Sequence, residues 1–494
     1  AIATDTDELA DGLGTDTDVE EILEWSRRAS ERGLWHDWWM ASARDISKAA
    51  ELLGPSALDI DETEDLTSSR FAALDTGAPD ATAISITIDA TWLGPHQTGA
   101  QVLTTAAIEA LSRNPRVAAI NLIGIDDLPD YAAHLGEREL VHMGSATERT
   151  DVIWYPNQID QRVDITQARS IGRRVITTYL DLIAYDIPRY HASHEAWAAY
   201  RSLQRHIALS VDGITTISTD VAKRLTEEVP RLDPERILPI PLGLDHVRAH
   251  IPEPGPDLRE LHAALADRPF VLVLGNDFHH KNRDFAIRVW EELLDRGVNC
   301  DLVLAGLHVR SSSSKAREEA LLAQHTNLRG RAHVLDHVSS ASREWLLAEA
   351  AAVLYPSSAE GFGFVPYEAA ALGTPSTFTA FGPLVEISGL KDVPARWSVE
   401  EYATDLGALL TDPDRAQRRV TDLRAAIARS TWDSFADRLV DFATRISSMP
   451  PVEGALTGGG SADAAALAGI LSSRTWRATS VLRSMGKRVT GRRG

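Results

Sequence analysis

The sequence predicts an α/β protein made of two doubly wound domains that face each other across a cleft, preceded by a helical extension. Three observations carry this. From residue 83, short apolar runs alternate with helical patterns, as in a parallel sheet covered on both faces. A second such series begins after Pro239-Ile240-Pro241-Leu242-Gly243, whose Pro/Gly punctuation reads as a hinge. The 494 residues also exceed one ordinary core and suit two to four domains.

The elements follow in order. Residues 1–80 form an extension. Its first 24 residues hold nine acidic and no basic side chains, a self-repelling run expected to be mobile. A helical stretch over 18–53 carries Trp25, Trp35, Trp38 and Trp39, and 54–80 reads as an acidic linker. The first domain, 81–240, has strand candidates at 83–89, 117–123, 151–155, 174–179 and 213–217, with a helix at 100–112. The second, 241–430, has strands at 270–274, 301–305, 332–335 and 352–355, with helices at 283–295 and 341–350. A helix at 431–447 is expected to close this second series. Residues 448–494 combine a Gly-containing linker with a basic tail, which has seven basic residues from Arg474 onward and no acidic one.

Composition narrows the function. A net charge of −21 argues against nucleic acid, whose phosphates demand a basic face. The lone Cys300 admits no intrachain disulfide and fits a reducing compartment. No signal peptide is expected, and no apolar run approaches the ~20 residues of a membrane helix. The expectation is a cytoplasmic protein, with a tail whose basic and apolar residues suit peripheral contact with the inner face of the membrane. A start without Met also fits a fragment or a processed chain. The Asp-x-Asp strings (Asp5/Asp7, Asp16/Asp18, Asp59/Asp61) lie outside the catalytic region, so neither metal nor cofactor is expected.

The richest segment runs from Ser357 to Glu368. Gly361 and Gly363 leave the backbone bare beside anything in the cleft. Pro366 suits the first position of a helix, and Gly373 and Pro375 stop it. That helix N-terminus favours an anion. Glu360 in the loop and Glu368, placed in the first turn, can each accept hydrogen bonds from paired hydroxyls of a sugar or ribose. A second segment, Gly275-Asn276-Asp277-Phe278-His279-His280-Lys281-Asn282, leaves the first strand of the second domain. Asn282 reads as an N-cap, which puts Lys281 beside a helix terminus that could hold a diphosphate.

Glu360-x7-Glu368, with Gly361-Phe362-Gly363-Phe364 between, resembles the E-x7-E signature of family-4 retaining glycosyltransferases, which have the GT-B fold of two Rossmann-like domains. The resemblance covers about 84–447. It implies that Glu360 meets the transferred sugar, that Glu368 meets the ribose, and that the Gly361–Phe364 loop binds the donor. Gly275–Asn282 resembles the family's G-x5-K-[GN] phosphate loop, so Gly275, Asn276, His280 and Lys281 are assigned to the donor phosphates. Asn276 and His280 stand where many members carry Arg. Leu93–Gly99 resembles the first-domain glycine loop, with Gly99 at the donor. Val175–Leu182 resembles the T-x-H-D strand end, with Leu180 in place of His and Asp181 retained. The catalytic set implied is Glu360, Lys281 and Asp181.

The function so implied is retaining transfer of a sugar from a nucleotide-sugar donor to a glycan, lipid-linked or other acceptor, in cell-surface polysaccharide or glycoconjugate synthesis. The alternatives are a non-catalytic nucleotide-sugar-binding module and a sugar-nucleotide epimerase on the same fold.

Overall fold

The computed structural model describes residues 83–452, apart from 145–147, 161–162, 248–252, 266–267, 311, 325–329 and 337. The Trp-rich and acidic extension, the Asp-x-Asp strings and the basic tail lie outside the described residues.

The first domain begins with β1 (Ile84–Asp89), α1 (Gly99–Leu111), β2 (Val117–Ile123), β3 (Val141–Met143) and β4 (Thr150–Tyr155). It continues through α2 (Ile165–Ile171), β5 (Gly172–Tyr179), α3 (Ile183–Asp186), α4 (His194–Ser210), β6 (Gly213–Thr216), α5 (Thr219–Glu228) and β7 (Ile237–Pro239). Its seven strands lie in the order β3-β2-β1-β4-β5-β6-β7, all paired in parallel. The sequence direction therefore reverses between β1 and β4.

The second domain contains α6 (Arg259–Leu265), β8 (Phe270–Leu274), α7 (Arg283–Asp295), β9 (Asp301–Ala305), α8 (Lys315–Gln324), β10 (Ala332–Leu335) and α9 (Ser340–Glu349). Next come β11 (Ala352–Tyr355), α10 (Phe364–Leu372), β12 (Ser376–Phe378), α11 (Gly382–Ser388), α12 (Val399–Thr411) and α13 (Pro413–Ile427). This parallel sheet has the order β10-β9-β8-β11-β12, with its reversal between β8 and β11. β8, β9 and β11 are buried along their whole length, as strands covered by helices on both faces must be.

The final helix, α14 (Trp432–Ser448), corrects one expectation. It does not close the second series; it returns to the first domain and packs along α1. Trp432, Phe435, Leu439, Val440, Phe442 and Ile446 are buried at helical spacing. Arg113 pairs with Asp433 at 2.7 Å, and Asn114 donates to Asp437 at 2.9 Å. An apolar stripe alone cannot say which of two sheets it will cover. The hinge runs beside the start of this helix. Leu244 N donates to Ser430 O at 2.8 Å, and Trp432 N donates to Asp245 Oδ1 at 2.8 Å.

The domains also meet at a seam. Glu386 on α11 accepts from the backbone N–H groups of Thr219 and Asp220 at 2.8 and 2.9 Å, so a carboxylate of the second domain caps α5 of the first. At Gly361, a Cβ would stand 1.7 Å from the carbonyl oxygen of Leu180 and 3.1 Å from Ile217. Gly361→Ala is therefore expected to push the domains apart and to lower stability by about 1–3 kcal/mol, read from urea unfolding. Unchanged stability would mean that the seam opens freely.

Candidate active site

Open α/β sheets bind ligands beyond the carboxyl ends of their strands, where the strand order reverses. In the second domain both sequence motifs sit there: Gly275–Asn282 leaves β8 and Ser357–Gly363 leaves β11. The two loops are tied together. His280 O accepts from Ser358 N at 2.8 Å, and Asn282 Nδ2 donates to Pro356 O at 2.8 Å. Lys281 Nζ lies 2.5 Å from Glu360 Oε1, and the Tyr355 hydroxyl donates to the same oxygen at 2.5 Å. Glu360 is 7% exposed, so this cation and carboxylate are a largely desolvated pair.

Gly363 adopts φ 83° as the N-cap of α10, a conformation that only glycine takes at little cost. The helix thus starts at Phe364. Pro366 is its third residue, still among the four without an intrahelical N–H partner, and Glu368 falls in the second turn, not the first. Glu368 is 1% exposed. Arg343 donates to its Oε2, and His246 Nε2 lies 3.2 Å from Oε1. Trp432 Nε1 donates to His246 Nδ1 at 3.2 Å. That fixes the imidazole proton on Nε2, so it points at Glu368. Burial opposes ionisation of Glu368, but the Arg343 charge and the His246 hydrogen bond outweigh it and hold the carboxyl at about 2.

Residues 256–424, which include both loops, match the sequence family Glycosyl transferases group 1. The chain has a GT-B fold, and its second domain is similar to that family. A D-inositol 3-phosphate glycosyltransferase of Xylanimonas cellulosilytica is 32% identical over 228 residues, which are 40% of this chain and 52% of that protein. The chain thus spans about half the length of this relative. Sucrose-phosphate synthase from Thermosynechococcus elongatus superimposes with a TM-score of 0.53 at 18% identity, over 72% of this chain and 97% of that one. An α,α-trehalose-phosphate synthase (UDP-forming) from Burkholderia xenovorans, in complex with glucose-6-phosphate, gives 0.56 at 12% identity over 73% and 100%.

Other expected site residues of this GT-B chain are placed as follows. Gly99 starts α1, and a Cβ there would meet the Phe364 ring of the second domain at 3.6 Å. Gly275 adopts φ 149° beside the Lys281 side chain, 3.7 Å from where its Cβ would be. Asn276 is half-buried. Asp181 follows β5, accepts from Ile183 N at 2.8 Å, and is shifted upward by burial and by the nearby charge of Glu360.

Three further residues differ from expectation. Phe362 is 2% exposed within the core, so only its backbone is free to meet a donor. Asn282 stands at the N-cap of α7 with φ 52°, but its side chain is spent on Pro356 and caps nothing. His280 is buried against Phe278 and bonded through Nδ1 to the Tyr190 hydroxyl of the first domain. Burial and the neighbouring Lys281 hold it well below the usual imidazole value, so without a ligand Lys281 is the loop's cation at this point.

The sequence reading missed Arg343, His246, Tyr355 and Tyr190. Only Tyr355 had a local signal, as the last residue of the strand before the loop. The Glu368 geometry sets a pH dependence. Its folded value lies below the roughly 4.3 of a free glutamate, so its stabilisation is complete above that value and is lost as pH falls toward 2. Wild type is expected to be more stable than Glu368→Gln at pH 6, with the difference shrinking between pH 4.5 and 2 in urea unfolding. A difference independent of pH would show that Arg343 and His246 do not stabilise the carboxylate.

Proposed function

We propose that this protein is a retaining glycosyltransferase of the family-4 type that uses a nucleotide-sugar donor. The observation that carries the reading is the Lys281–Glu360 pair at the strand-order reversal between β8 and β11. A donor diphosphate would take Lys281 from Glu360. The freed carboxylate would then accept hydrogen bonds from hydroxyls of the transferred sugar. Glu368 still has lone pairs beyond those engaged by Arg343 and His246, and these would receive the ribose hydroxyls.

In the step itself, an acceptor hydroxyl oxygen forms a bond to the anomeric carbon on the face from which the diphosphate departs. The diphosphate leaves with the electron pair of the broken C–O bond, and the hydroxyl proton passes to a donor phosphate oxygen. Lys281 and the loop N–H groups stabilise the charge that grows on the leaving group. The acceptor comes from the first domain, as a glycan, a lipid-linked acceptor or another hydroxyl compound. We place the reaction in cell-surface polysaccharide or glycoconjugate synthesis. Among the described residues no group of three or more His, Cys, Asp or Glu side chains could hold a metal ion, and in this reading transfer runs without one. Among the same residues no helix is long and apolar enough to cross a membrane; membrane contact through the basic tail remains part of the proposal.

A panel of nucleoside diphosphates and nucleotide sugars tests the donor. A ligand at 100 times its Kd should stabilise the fold by about 2.7 kcal/mol. Lys281→Ala should lower kcat by the equivalent of about 3 kcal/mol, with Lys281→Ala/Glu360→Gln as a control that leaves no buried unpaired carboxylate. Glu360→Gln should mainly lower kcat, and Glu368→Ala mainly raise the donor KM. Activity should survive EDTA. Normal turnover in folded Lys281→Ala would remove the phosphate assignment, and nucleotide binding without turnover would leave a binding module.

A further inference from the structure

One short stretch of the first domain, residues 181–190, reaches both donor loops of the second. It contains α3 and then a 3-10 turn over Pro188–Tyr190. Ile183 and Ile187 form a small buried cluster with Ala359, the residue before Glu360, and Tyr190 packs against that cluster. The far end of the stretch meets the other loop. Ser312 Oγ donates to Arg189 O at 2.9 Å, and Ser312 O accepts from His279 N at 2.9 Å. The Tyr190 hydroxyl is hydrogen-bonded to His280 Nδ1.

These contacts hold His280 at both of its ends. Its backbone carbonyl accepts from Ser358 N at 2.8 Å and from Ser357 Oγ at 3.2 Å, which ties it to the loop after β11. Its ring is stacked on Phe278 with centroids 5.6 Å apart, and the Tyr190 ring lies 5.6 Å from Phe278 and 5.8 Å from His280. Buried polar atoms need partners, and Tyr190 supplies one for Nδ1. Lys281 is the next residue in the same 3-10 turn, His279–Lys281. In so tight a turn the backbone of one residue sets the direction of the next. A His280 fixed at ring and carbonyl therefore fixes how the Lys281 side chain leaves the loop. Such aim matters, because a misplacement of about 1 Å at a reacting group can cost on the order of a hundredfold in rate.

We propose that Tyr190 is a positioning residue for the donor diphosphate, acting through the His280 ring to aim Lys281. The proposal rests on the donor reading of Lys281 given above. It adds that the cation of the second domain is aimed by a residue of the first.

The test is a binding measurement that needs no turnover. ADP, CDP, GDP, UDP and dTDP are titrated beside their nucleosides by saturation-transfer NMR. Tyr190→Phe keeps the ring against Phe278 and removes only the hydroxyl. It should weaken the diphosphate that wild type binds by roughly tenfold, about one hydrogen bond, and leave the matching nucleoside unchanged. His280→Phe breaks the same link from the other side and should give the same selective loss. In a Lys281→Ala background Tyr190→Phe should cost nothing further, since residues that act as one unit are not additive. The 15N resonance of His280 Nδ1, assigned by its absence in His280→Phe, should move in Tyr190→Phe.

Equal losses for diphosphate and nucleoside would reduce Tyr190 to a structural role and overturn the proposal. So would a full further loss in the Lys281→Ala background, or an unmoved Nδ1 resonance. Diphosphate binding by wild type that neither variant weakens would sink this proposal alone. A wild type that binds none of the diphosphates would sink the donor reading, and this proposal with it.

Discussion

The close approach of two backbones organises this molecule. The Leu180 carbonyl of the first domain occupies space that any side chain at 361 would need, since a Cβ there would lie 1.7 Å from it. Because a glycine stands at that point, the loop after β11 can lie directly against the end of β5. Glu360 precedes the contact, and Gly363 follows it as the N-cap of α10. The placement of Glu360 beside Lys281, and that of Glu368 one helical turn further on, both depend on this contact.

Around the seam, polar groups of one domain complete elements of the other. Glu386 supplies the N-terminal partner of α5, and Tyr190 holds the His280 ring. Trp432, at the start of the helix that crosses back, orients His246 toward Glu368. The hydrogen bonding of the second domain's buried carboxylate therefore depends on the two segments that connect the domains.

The electrostatics of the two strand-order reversals differ. In the second domain the carboxylates come with cations, Glu360 with Lys281 and Glu368 with Arg343. In the first, the described lining of the cavity beyond β1 and β4 is acidic and amide-rich.

What the sequence determined by itself was local. The strand runs at 117–123, 270–274 and 301–305 and the helix at 283–295 are found with those bounds, because period and chain punctuation are properties of neighbouring residues. The Glu360 and Lys281 loops were legible for the same reason: glycines, a proline and a charge at fixed spacing describe a turn wherever the chain goes. The tertiary structure alone decided what is non-local. Arg343 lies 25 residues from Glu368 and His246 lies 122 away, separations at which no periodicity operates. The short strands β3, β7 and β12, three residues each, carry too few positions for a pattern and exist because a neighbouring strand offers them partners. The side of the molecule covered by α14, and the neutrality of His280, were fixed by burial, which depends on every element packed around a residue and not on the residues beside it in the chain.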